Sequence, residues 1–129
     1  PAATGISHHI SPYGDIEPCP IVQFANETIR DNDGDIFKTM TESPMLADFR
    51  KTAAQATRGC IVLERPDLLK EVVERHGSRD TTVRGAAMSE LEKMSSLHSQ
   101  HNPGNEVREK HWMYRFAKKH WFFGFGAYT

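Results

Sequence analysis

The C-terminal stretch 106–129, EVREKHWMYRFAKKHWFFGFGAYT, constrains the fold more than any other part of the chain. It holds both tryptophans, Trp112 and Trp121, four of the seven phenylalanines and two of the three tyrosines. Aromatic side chains have the most to gain from leaving water, so either the fold or a partner must cover them. Trp112, Phe116 and Phe123 share one helical stripe, with Met113, Ala117 and Trp121 beside it. Packing one stripe on a helical body accounts for the first of these. Trp121, Phe122, Phe123, Phe125 and Tyr128 are another matter. Consecutive aromatics point all round a helix, and Gly124 and Gly126 then interrupt it. A chain of 129 residues is one domain's worth, 1–129, with a core too modest to hide them all. Exposed aromatics rimmed by Arg115, Lys118 and Lys119 mark an interaction surface.

The remaining chain reads as helices separated by turns. Residues 1–20 carry Pro1, Pro12, Pro18 and Pro20 with Gly5 and Gly14, which forbids a long helix and suggests an extended arm. Ile21, Phe24, Ala25, Thr28 and Ile29 follow a helical stripe over 20–30. Ser43 and Pro44 open a helix over 43–58 that Gly59 stops, and Cys60 to Leu63 is an apolar connector. Pro66 and Gly77 bracket the next helix. Val83, Ala87, Leu91 and Met94 continue the 3.6 period through a helix over 82–99, in which Gly85 is a weak spot. The last helix runs from about Glu106 to Trp121, and 121–129 is an aromatic tail. The expected fold is all-α: a small bundle of about five helices with an extended N-terminal arm.

The sharpest chemical pattern is Asp31-Asn32-Asp33-Gly34-Asp35-Ile36-Phe37-Lys38-Thr39-Met40-Thr41-Glu42. It resembles the calcium loop of EF-hand proteins. The resemblance places Asp31, Asp33 and Asp35 at loop positions 1, 3 and 5, and Glu42 at the bidentate position 12. Ile36 stands where the family has its turn glycine, and Lys38 where it has an apolar residue. Calcium is the one cofactor this pattern admits, and Ile36 implies weak binding or none. Joining two helices with an Asp-rich turn is the alternative role.

Other chemistries lack their residues. No H-E-x-x-H, Cys-x-x-Cys or paired Glu-x-x-His occurs among the seven histidines and two cysteines. His8-His9 has no carboxylate close in sequence and reads as a polar pair in the arm. Cys19 and Cys60 read as free thiols. There is no G-x-S-x-G and no phosphate-binding glycine loop, so no catalytic residue is expected. A net charge of −1 argues against nucleic acid as the partner of the basic-aromatic end. No apolar run is long enough to span a membrane. PAATGISHHISP does not read as a signal peptide, and an intracellular or organellar setting is expected.

The expected function is therefore a non-enzymatic accessory subunit that docks into a larger protein assembly. Its partner-binding residues would be Trp112, Arg115, Phe116, Trp121, Phe122, Phe123, Phe125 and Tyr128. Trp and Tyr near Lys and Arg also suit contact with a membrane interface. The alternative function is a degenerate EF-hand-like calcium-binding protein.

Overall fold

The structure is a computed structural model, and it describes residues 8–57, 59–97 and 112–121. The chain gathers into two compact units, Pro1–Ser99 and Gln100–Thr129. The first unit is not the all-α bundle expected. It mixes helices with two small antiparallel two-stranded sheets. In order these elements are β1 (His9–Ile10), β2 (Ile16–Glu17), β3 (Phe24–Ala25), α1 (Ile36–Glu42), α2 (Pro44–Ala56), α3 (Ile61–Glu64), α4 (Pro66–Arg75), β4 (Arg79–Asp80) and α5 (Ala87–Lys93). The described part of the second unit is α6 (Trp112–Trp121).

The described residues of the expected arm fold into the first unit. β1 pairs with β2, His9 opposite Glu17 and Ile10 opposite Ile16. The reversal between them turns on Gly14, at φ +90°, where a Cβ would come within 3.0 Å of Ile29 Cγ1. Only glycine meets both demands, so the chain reverses tightly against residue 29. The other edge of β2 is taken by the segment after β3: Ile16 N–H donates to Glu27 O at 3.0 Å, and Ile29 N–H to Gly14 O at 2.8 Å. Ile16 is thereby fixed in the core.

Residues 20–30 form no helix. Val22 and Phe24 are buried while Ile21 and Gln23 are exposed, a period of two rather than 3.6. β3 instead pairs with β4, Phe24 opposite Asp80 and Ala25 opposite Arg79. Tertiary pairing with a distant strand overrides the local stripe.

The expected helices at 43–58 and 66–76 are present as α2 and α4, for local reasons. The Ser43 hydroxyl accepts from Leu46 N–H at 3.2 Å and Pro44 sits in the first turn of α2. Pro66 opens α4, with Asp67 in its first turn and Arg75 in its last, each suiting the helix dipole. Leu46, Phe49 and Ala53 of α2 meet Leu69, Val72 and Val73 of α4 in one core with Ile16, Val22, Phe24, Ile61 and Leu91. The connector at 60–63 is largely the short helix α3. The expected helix at 82–99 shrinks to α5, because residues 81–86 form a loop with Gly85 at φ +61°.

Candidate functional site

Three large apolar side chains of α6 are exposed. Trp112 is 70% exposed, Met113 58% and Phe116 61%. Phe116 also stacks on His120, ring centroids 4.5 Å apart and planes inclined by 44°. Trp112 and Phe116 are one helical turn apart, so both belong to the same stripe. Arg115 and Trp121 lie within α6. Phe122, Phe123, Phe125 and Tyr128 lie outside the described residues.

The Asp-rich segment is a turn between β3 and α1. Asn32, Asp33 and Gly34 all have positive φ, at 50°, 57° and 83°. Such backbone is ordinary for Gly and tolerated by Asn and Asp. The Asp31 carboxylate accepts from Thr28 N–H at 2.6 Å. The Asp35 carboxylate accepts from Lys38 N–H at 2.9 Å and caps α1. Glu42 is the last residue of α1. Among the described residues no three or more His, Cys, Asp or Glu side chains gather as a metal site, so Asp31, Asp33, Asp35 and Glu42 are not brought together. Cys19 and Cys60 are both free and half-buried.

A different constellation has no counterpart in the sequence motifs. Across the β1–β2 hairpin, His9 Nδ1 lies 2.6 Å from Glu17 Oε2. Glu17 is 1% exposed, and its other oxygen accepts from the Thr81 hydroxyl. Beside it Asp15 accepts from Ser11 Oγ at 3.0 Å and from Arg79 Nη2 at 2.8 Å. The Arg79 hydrogen bond holds the Asp15 carboxyl below the usual carboxylate range, against the opposing effect of burial. One carboxylate also organises the loop that follows. Asp80 Oδ1 accepts from the backbone and hydroxyl of Thr82, and Oδ2 accepts from Ala87 N–H at 2.7 Å, closing the first turn of α5. Burial raises the Asp80 carboxyl and these hydrogen bonds more than offset it, so its pKa is lowered.

These pairings build a cleft of about 480 Å³ between the hairpin turn and the 81–86 loop. His9, Pro12 and Tyr13 of the hairpin, Thr81 to Arg84 of the loop and Glu90 of α5 are among its lining residues. The adjacent His8 lies apart from it. Burial, and the Arg50 guanidinium whose Nη1 is 3.3 Å from His8 Nε2, push the His8 imidazole below its ordinary value. The sequence does carry one signal for the His9–Glu17 pair: a tight reversal at Gly14 places residues eight apart opposite each other. That signal is masked when 1–20 is read as an extended arm.

Among the described residues no helix is long and apolar enough to cross a membrane. No family model matches the chain, and no curated protein or solved structure proves similar to it.

Proposed function

We propose that the protein is a non-enzymatic accessory subunit that docks into a larger protein assembly through α6, with contact at a membrane interface as a second use of the same aromatics. The observation that supports this is the exposure of Trp112, Met113 and Phe116 together on a ten-residue helix. Large aromatics left in water next to a basic sequence favour a protein groove that takes an amphipathic helix. Each of the two rings, once covered, removes on the order of 150–250 Å² from water. Native mass tests the proposal. The chain isolated from its own cells migrates in an assembly larger than one copy. The Trp112→Ala/Phe116→Ala chain keeps its helical circular dichroism and migrates alone. A monomeric wild type, or a double variant with unchanged native mass, overturns the proposal.

A further inference from the structure

We propose that the cleft between the hairpin turn and the 81–86 loop binds a small organic oxyanion with an apolar body. The site is independent of α6 and is built on three features. Two of its lining residues, His9 and Thr81, are prearranged: buried Glu17 takes His9 Nδ1 on one oxygen and the Thr81 hydroxyl on the other. This fixes the imidazole of His9, which lines the cleft. The facing loop is held at both ends by the Asp80 carboxylate. That clamp presents Val83, 86% exposed, and Arg84, which has no ion pair among the described residues, at the loop's tip. Tyr13, 67% exposed, lines the same cleft.

The chemistry of the lining selects the ligand. The Thr81 and Thr82 hydroxyls already donate to Glu17 and Asp80, so they have no proton left for an anion. Arg84 is the donor with a full charge among the residues that line the cleft. Glu90 is the one carboxylate among the residues that line the cleft, and a cation would have only it to pair with. Tyr13, Pro12 and Val83 offer apolar cover for the rest of the molecule. Carboxylates and phosphate monoesters share the required head group.

Amide NMR of the full chain, titrated with benzoate, phenyl phosphate and benzyl alcohol, tests this. Saturable shifts at Tyr13 and at Thr81 to Ala86 are expected with benzoate, phenyl phosphate or both, and which anion acts identifies the head group. Benzyl alcohol is expected to leave those amides in place. Arg84→Gln, a change at an exposed side chain that leaves the fold intact, should weaken binding by about tenfold or more, as loss of a charged hydrogen bond requires. Glu90→Gln, which removes the opposing charge, should bind at least as tightly as the wild type. Absence of saturable shifts with both anions overturns the proposal. So does equal binding of the alcohol, unchanged affinity in Arg84→Gln, or lost binding in Glu90→Gln.

Discussion

The α2–α4 side of the first unit and its hairpin side are joined in one core, yet different forces hold them. The buried groups of α2 and α4 include Met45, Leu46, Phe49, Ala53, Leu69, Val72 and Val73, all uncharged. Around β2 the buried groups include Ser11, Asp15 and Glu17, each tied by hydrogen bonds. The first interface gains from apolar area and is indifferent to geometry within a rotamer. The second gains little net energy, because two carboxylates must be desolvated before Arg79, His9 and Thr81 compensate them. What it supplies is register. A one-residue slip of β2 would move Ile16 out of the core and leave Asp15 and Glu17 buried without donors.

Four substitutions break or sharpen this contrast. Phe49→Ala strikes the uncharged interface and should cost about 3–5 kcal/mol in chemical denaturation. Its cost should not change between neutral and acid pH. Asp15→Asn strikes the polar side and should cost about 1–2 kcal/mol, allowing for the half-exposed Arg79 partner. Its cost depends on pH with a definite sign. The folded-state pKa of Asp15 is lowered, so the stabilisation is fully present above the unfolded value, roughly pH 4, and disappears as pH falls through the folded value. The difference between Asp15→Asn and the wild type should therefore close in acid. A constant difference down to about pH 2 would erase the distinction between the two sides.

Ser43→Ala tests the joint between them. The Ser43 hydroxyl caps α2 and also donates to Glu27 Oε2 at 2.8 Å, on the strand segment that flanks β2. A loss of about 1 kcal/mol is expected, as for a typical N-cap. Lys70→Gln, which removes a solvent-facing pair with Glu92, should leave the denaturation midpoint where it is. A clear shift there would show that α4 and α5 rely on charge after all.

The same contrast explains which parts of the fold could be read from sequence. α2 and α4 were legible because their signals are local: Ser43-Pro44 opens one, and Pro66 and Gly77 bracket the other. The hairpin side was not, because its partners are distant. Arg79 and Thr81 lie 64 residues from the acids they satisfy, and no local periodicity reports that. The stripe over 20–30 fits a helix and a strand alike until β4 arrives to pair with Phe24. The 82–99 stripe fails for a related reason, since Asp80 holds the loop that would have been its first turn. At the candidate sites, Trp112 and Phe116 come from one contiguous stretch of sequence. The cleft was not legible, being assembled from three stretches that share no spacing.

The β3–β4 joint also sets an order of events. During synthesis the hairpin and β3 leave the ribosome well before residues 79–81 exist. Until then Glu17 has no hydroxyl from Thr81, Asp15 has no guanidinium, and β3 has an open edge. α2 and α4 need only near neighbours in the chain and can settle early, whereas a contact of long sequence separation waits for loop closure. β1 to β3 are thus made before α2 and α4 and finished after them. For the interval between, their open edge must be kept from other chains.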